Sequence, residues 1–305
     1  MNILISSAGG PAAVGVIKSL RNIDFEGRIV SIDCNEVSVG RYLSDKFYKV
    51  PQSTDKSFIK ELLDIVERES IDLILPTGLE IVPISQNISL LGDTVAFMSD
   101  HETIMLCNDK FEFYNKCKDD FPLPKTFISS FMISTPFVKP RIEIGGSRGA
   151  FLCKNKEHFD ILKEDYDYVF QEYLPGQEYT IDVLCDMKSN PLIIIPRKRL
   201  ETKAGISSKG EIIKDDIIEK LCYDICKFLK LKGPVCLQMK DDVNGNPKFI
   251  EINPRFGGGT YFTTLAGVNF CEIILDLINK RAVNISNPES ITVLRYFEEV
   301  VIWNC

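Results

Sequence analysis

A chain of 305 residues can hold two or three compact domains, and 45% apolar with 26% charged residues is the composition of an ordinary globular protein. A net charge of −7 with no long basic run argues against a nucleic-acid partner, because phosphate backbones demand concentrated Lys and Arg. No stretch approaches the roughly 18 continuous apolar residues of a membrane span, and MNILISSAGG has neither the charged start nor the apolar length of a secretion signal, so a cytoplasmic location is expected.

Residues 1–105 alternate strand and helix. The pattern predicts strands over Asn2–Ser6, Arg28–Asp33, Asp72–Pro76 and Thr94–Met98, with helices over Ala12–Asn22, Ser57–Glu69 and Ile81–Leu91. Such alternation implies a parallel sheet covered on both faces. The loop Ser6-Ser7-Ala8-Gly9-Gly10 follows the first strand and opens the first helix, which is where such sheets take up anions or substrates. It is not a full G-x-G-x-x-G, and a tight turn that needs glycines explains it equally well. Residues 106–175 predict a small α+β unit. It has helix Lys110–Cys117, strand Phe137–Pro140, a Gly-rich loop, strand Ala150–Cys153, helix Lys156–Lys163 and strand Tyr168–Tyr173. Residues 176–305 predict a larger mixed unit with strands Tyr179–Cys185 and Leu192–Pro196, helix Asp215–Lys230, a hairpin, helix Phe270–Asn279 and a final strand Thr292–Val301. The ten cysteines form no C-x-x-C pair, and with only His101 and His158 beside them a zinc site is not expected.

The hairpin carries the most chemistry. GPVCLQMKDDVNGNPKFIEINPR reads as a strand from Val235 to Lys240, a turn at Asn244-Gly245-Asn246-Pro247, and a second strand. In a regular strand alternate residues share a face, so Phe249, Glu251, Asn253 and Arg255 are expected on one side and Ile250 and Ile252 in a core. The hairpin brings Gln238 close to Glu251. Hard cations such as Mg²⁺ take oxygen ligands, commonly one or two carboxylates with substrate phosphates, and an arginine just beyond suits bidentate contact with phosphate oxygens.

These residues resemble the metal-binding hairpin of the ATP-grasp superfamily, closest to its carbamoyl-phosphate-synthase-like and carboxylate–amine ligase branch. The resemblance places Gln238, Glu251, Asn253 and Arg255 on the family's pattern of a Glu or Gln on the first strand and E-x-N-x-R on the second. Gln238 in place of the commoner Glu lowers the charge of the site, which weakens one of two metal positions. Further motifs follow the family's order over residues 108–259. Lys110, at the start of a helix and by itself an unremarked surface lysine, matches the first phosphate-binding lysine. Lys139, ending Pro136-Phe137-Val138-Lys139-Pro140, matches the lysine at the α-phosphate and base. The loop Glu143-Ile144-Gly145-Gly146-Ser147-Arg148-Gly149 matches the loop over the β- and γ-phosphates, where glycines let backbone N–H groups curl around oxygens. In the segment Phe170–Glu178, with Gln171 at its head, the resemblance puts Glu172 and the backbone of Tyr173 and Leu174 on adenine, and Glu178 on the ribose hydroxyls. Asp182 would support the same pocket.

The segment Pro196-Arg197-Lys198-Arg199-Leu200-Glu201-Thr202-Lys203-Ala204-Gly205 is read as a cationic loop that either lies exposed or stabilises a phosphoryl group in transfer. Arg199 is favoured, since Arg197 and Arg199 share a strand face with Ile195. The resemblance thus implies a Rossmann-like pre-grasp domain (1–105), a small ATP-grasp subdomain (106–175) and a large one with the metal hairpin (176–305). It implies ATP with one or two Mg²⁺ (Mn²⁺ as the alternative) as cofactors and Arg199 and Arg255 as catalytic residues. The expected reaction is ADP-forming ligation, in which a carboxylate becomes an acyl phosphate that an amine attacks. A kinase that releases its phosphorylated product and a non-catalytic ATP sensor are the alternatives. The expected partners are a small carboxylate and an amine, with no nucleic acid and no membrane, and a homodimer stays open. A full carbamoyl phosphate synthase is excluded by length, since only one grasp unit is present. Acceptor contacts are expected from Ser7, Gly10, Thr77, Glu80 and Gly258.

Overall fold

The computed structural model describes residues 1–128, 136–142, 149–153 and 167–302. Within them the strands are β1 Asn2–Ile5, β2 Arg28–Asp33, β3 Lys46–Lys49, β4 Leu73–Leu75, β5 Val95–Ala96, β6 Thr126–Phe127, β7 Phe137–Pro140, β8 Phe151–Leu152, β9 Tyr168–Gln171, β10 Glu178–Cys185, β11 Pro191–Lys203, β12 Ile206–Ile212, β13 Gly233–Asp241, β14 Pro247–Asn253 and β15 Thr292–Leu294. They build three sheets among the described residues. The first is five-stranded and all parallel, in the order β3-β2-β1-β4-β5. The order reverses between β1 and β4, so a crevice opens beyond their carboxyl ends, where ligands of such sheets bind. The second sheet is antiparallel and six-stranded, β14-β13-β10-β11-β12-β15, and the third, β6-β9-β7-β8, is antiparallel and four-stranded. The observed class is the expected α/β fold with antiparallel grasp-type sheets.

Local sequence explains the elements that place the site. Helix Phe58–Arg68 buries Phe58, Leu62, Ile65 and Val66, a stripe at helical spacing that seals one face of the parallel sheet. Helix Pro11–Asn22 starts with Pro at its first turn and is buried on two faces. One face meets the parallel sheet. The other meets helix Thr260–Leu265, with Ser19 and Thr264 hydroxyls 2.7 Å apart and Asn269 donating to the Ser19 carbonyl at 2.7 Å. Ile3, Val16, Leu20, Ile195, Phe262 and Phe270 therefore share one core, which fixes the parallel sheet against the six-stranded one.

Several expectations are corrected. The segment after Pro196 is no loop, because β11 runs on to Lys203 and pairs with β12, a strand unforeseen in the sequence. The final strand stops at Leu294 instead of Val301. Helices Gly40–Leu43, His101–Asn108 and Thr260–Leu265 and strand β3 were also unforeseen. Regular alternation fails on β14. Gln238 pairs with Glu251 but Met239 pairs with Phe249, so Ile250 is a bulged extra residue. Phe249 and Ile252 consequently both enter the core, while Ile250 lines a cavity beside Glu251. The predicted helix Lys156–Lys163 lies outside the described residues. No helix among the described residues is long and apolar enough to cross a membrane.

Gly233 opens β13 with φ of 70°, and a Cβ there would lie 2.8 Å from the Phe97 carbonyl oxygen. Gly233→Ala combines a left-handed backbone with a clash against another backbone. It is expected to lower unfolding stability by roughly 1–3 kcal/mol, read from a urea midpoint; an unchanged midpoint would refute it.

Candidate active site

Two adjoining cavities lie between the sheets. The first, about 290 Å³, is enclosed by the small four-stranded sheet and the six-stranded sheet. Its lining includes Lys110, Lys139, Gln171, Glu172, Tyr173, Leu174, Glu178, Arg199, Gln238 and Glu251. The second, about 620 Å³, opens at the reversal point of the parallel sheet, and Ser7, Gly10, Thr77, Glu80, Asn253, Arg255 and Gly258 line it. Arg199, Gln238, Glu251 and Gly205 belong to both walls. The site residues named from the sequence lie on one cavity or the other, with three exceptions: the loop residues 143–148 fall outside the described residues, Gly149 lines neither cavity, and Asp182, expected to support the ATP pocket, is instead buried against Arg197 and lines neither.

Lys110 sits at the first turn of helix Lys110–Cys117, only 7% exposed. The turn is set by Asp109, whose carboxylate accepts from the Phe111 and Glu112 amides at 3.0 and 3.1 Å. Arg141 also holds this carboxylate, 2.7 Å away. Burial opposes ionisation of Asp109, but the Arg141 and amide hydrogen bonds prevail and lower its pKa. Lys139, at the end of β7, donates to the Ile250 carbonyl at 2.8 Å, across the cavity at the β14 bulge. Gln171 turns inward and donates to Thr126 at 2.9 Å. The Glu172 carboxylate is engaged by Lys248 at 2.9 Å, and Tyr173 carries Lys240 over its ring at 5.5 Å.

The hairpin array is joined by hydrogen bonds. Asn253 donates to Glu251 Oε1 at 3.1 Å, and Arg255 donates to Asn253 Oδ1 at 3.1 Å, although the strand ends at Asn253. Gln238 stands directly opposite Glu251. Three neighbouring oxygen-bearing side chains of this kind, one of them a carboxylate, suit a hard cation. Among the described residues no three His, Cys, Asp or Glu side chains group closely enough to hold an ion alone. The set therefore fits a Mg²⁺ that arrives with phosphate oxygens of its own.

On the second cavity, Ser7 donates to both Glu80 carboxylate oxygens at 2.7–2.8 Å, and Thr77 donates to the Ser6 carbonyl at 2.6 Å. The two loops at the reversal point are thereby tied together, and the Glu80 carboxylate lines the same cavity as Arg199 and Arg255. The buried Cys236 nearby is no ready nucleophile: burial, then the Asp182 carboxylate, pushes its thiol up to about 12.

Two further arginines hold places that sequence reasoning did not assign: Arg197, which it set behind Arg199, and Arg295, which it did not name. Arg197 is completely buried, paired with Asp182 at 2.7 Å and stacked 5.2 Å from the Phe262 ring centre. Its signal was its alternation with Ile195, which placed it inward. Arg295 stacks on Phe262 at 4.8 Å and donates to the Gly258 carbonyl. Burial, then the neighbouring Arg197, lowers its pKa. No local motif marks it, because β12–β15 pairing delivers it.

Comparison with known proteins gives two family matches. The model described as "ATP-grasp in the biosynthetic pathway with Ter operon" matches residues 164–300, and "PylC-like, N-terminal domain" matches residues 3–106. The D-alanine–D-alanine ligase of Petrotoga mobilis is 30% identical over 222 residues, 62% of this chain and 72% of that protein. The D-alanine–D-alanine ligase of Thermotoga petrophila is 34% identical over 128 residues, 37% of this chain and 42% of that enzyme, so less than half of that relative is matched. Among solved structures, N5-carboxyaminoimidazole synthetase from Staphylococcus aureus complexed with ADP aligns with a TM-score of 0.72 over 93% of this chain and 78% of that chain. At 17% identity this is a likeness of fold alone.

Proposed function

This chain belongs to the ATP-grasp superfamily, and on that premise we propose that it is an ADP-forming ligase joining a carboxylate to an amine. The observation that carries the reading is the Gln238–Glu251 wall shared by two cavities, one lined by Lys110 and Lys139 and the other by Arg255 and Glu80. We propose the unit boundaries near residues 105 and 175 with it.

ATP occupies the first cavity in this reading. Lys110 and Lys139 meet its phosphates, the Glu172–Leu174 edge its base, and Glu178 its ribose. Gln238, Glu251 and Asn253 hold one or two Mg²⁺, which supply neutralisation of phosphoryl charge. The acceptor carboxylate lies in the second cavity. Its oxygen attacks the γ-phosphorus as the bond to ADP breaks, with Arg199 and Arg255 stabilising the charge in transit. The amine then attacks the acyl carbon and phosphate leaves. No protein nucleophile is needed; positioning and electrostatics carry the rate.

Hydroxylamine tests this directly. A panel of carboxylic acids that includes D-alanine, named in both ligase relatives, is incubated with Mg·ATP and hydroxylamine. The acceptor acid is expected to give a hydroxamate and to pass one ¹⁸O from its carboxylate into the released phosphate. A phosphorylated acid that accumulates without amine identifies a kinase. ATP binding with neither product identifies a sensor. Either result overturns the ligase.

A further inference from the structure

Arg199 is held at three points in a nearly closed environment. Its side chain is 5% exposed, and its Nη1 donates to Glu178 Oε1 at 2.5 Å. The same nitrogen lies 3.4 Å from Gln238 Oε1, and Nη2 donates at 2.6 Å to the Gly205 carbonyl in the turn between β11 and β12. Arg199 is thereby suspended between β10, β13 and the β11–β12 turn, on the wall common to both cavities. Its ionic anchor is the same glutamate that the ATP reading gives to the ribose.

We propose that Glu178 is a positioning residue: it aims Arg199 at the terminal phosphate and so couples recognition of the sugar to recognition of the γ-phosphoryl group. The inference rests on the placement of ATP in the first cavity. A carboxylate accepts several hydrogen bonds at once, so Glu178 can keep Arg199 on Oε1 while a ribose hydroxyl donates to Oε2. Charge-assisted bonds to a planar guanidinium also fix direction, which a lone lysine at that place would not do. Without Glu178 the arginine keeps only a weak amide contact and one carbonyl, and its rotamers spread.

The two roles separate by measurement. A glutamate that only binds ribose contributes equally to ATP and ADP. A glutamate that also aims Arg199 contributes more to ATP, because only ATP has the γ-phosphate. Calorimetric affinities of Mg·ATP and Mg·ADP are compared in the full chain, for wild type, Glu178→Ala, Arg199→Ala and the double variant. Wild type is expected to prefer ATP. Glu178→Ala is expected to cut the ATP-over-ADP ratio roughly tenfold or more, the scale of one charged hydrogen bond. Arg199→Ala is expected to cut it similarly, and the double variant no further, since both act through one guanidinium. Glu178→Gln keeps the shape and one acceptor oxygen, should restore part of the ratio, and replaces Glu178→Ala if that variant does not fold. Equal weakening of ATP and ADP in the Glu178 variants, or multiplicative losses in the double variant, would overturn the coupling while leaving the ATP site intact. A wild type that binds neither nucleotide would overturn the ATP reading itself.

Discussion

Glu251→Ala is expected to reduce Mg·ATP turnover by on the order of 10²–10³-fold, the loss typical of removing one group that meets charge developing in a transition state. Glu251 is the only carboxylate of the hairpin array, set opposite Gln238 and accepting from Asn253 at 3.1 Å. Its loss therefore removes the single negative ligand offered to the cation and frees the Asn253 amide that had been oriented by it. Two neutral amide oxygens remain, too few to fix a hard ion against a triphosphate. The fold should survive, because Glu251 lies on the cavity wall and the core of this hairpin is built by Leu237, Met239, Phe249 and Ile252. ADP release across the acid panel, measured beside an unchanged thermal midpoint, decides the matter. Wild-type release from a folded variant would remove Glu251 from the metal site.

How far this site could be read from sequence depends on how local its causes are. The hairpin was legible because its turn chemistry is local: Asp242 Oδ1 accepts from the Asn244 and Asn246 amides at 2.8 and 3.0 Å, and the Gly245 amide donates to the Asp242 carbonyl. From that turn a regular ladder would set Gln238 opposite Ile250, since Met239 pairs with Phe249; it is the bulge that brings Glu251 to Gln238. The bulge at Ile250 was not legible, since it arises where the core claims both Phe249 and Ile252, a demand made by distant side chains. Alternation alone therefore assigned Phe249 and Ile250 to the wrong faces. The parallel sheet followed from strand–helix alternation, but the half-exposed edge strand β3, Lys-Phe-Tyr-Lys, has no buried face to give it a period.

Long-range pairing accounts for the other misses. The cationic run after Pro196 is extended because β12 pairs with it, and nothing in Arg197-Lys198-Arg199 announces that partner. The same pairing gives Arg197 and Arg199 different roles on one face. Arg199 reaches the cavity wall shared with Glu178, while Arg197, nearer the strand centre, is carried under Phe262 and the Gly257–Gly259 segment. A burial pattern read from sequence treats a charged residue as outward, and Arg197 breaks that rule because Asp182 on the adjacent strand meets it inside.

Asp182→Ala is accordingly expected to cost about 3–5 kcal/mol of stability, the range for removing one partner of a buried ion pair. Both side chains are sealed, at 2% and 1% exposure, with Arg197 Nη1 2.7 Å from Asp182 Oδ2. Thr263 donates to the same oxygen at 2.8 Å. The substitution strands a guanidinium in the core, where Phe262 offers only a ring face and Gly259 packs so close that a Cβ there would lie 2.2 Å from Arg197 Nη2. Arg197 and that segment both line the second cavity, so a change in the arginine's position shifts the cavity wall. Partial relief is already needed in the intact protein, since Asp182 Oδ1 and Arg197 Nε have no hydrogen-bond partner. Urea unfolding measures the cost, and a loss below about 1 kcal/mol, the scale of an exposed pair, would show that the charge is compensated elsewhere. The double variant Asp182→Leu/Arg197→Met removes both charges at similar volume and should recover most of the stability. It should nevertheless bind acceptor acids less well, because the segment that Arg197 braces would no longer be held against the cavity. Recovery of stability together with full acceptor affinity would show that the pair serves the core alone.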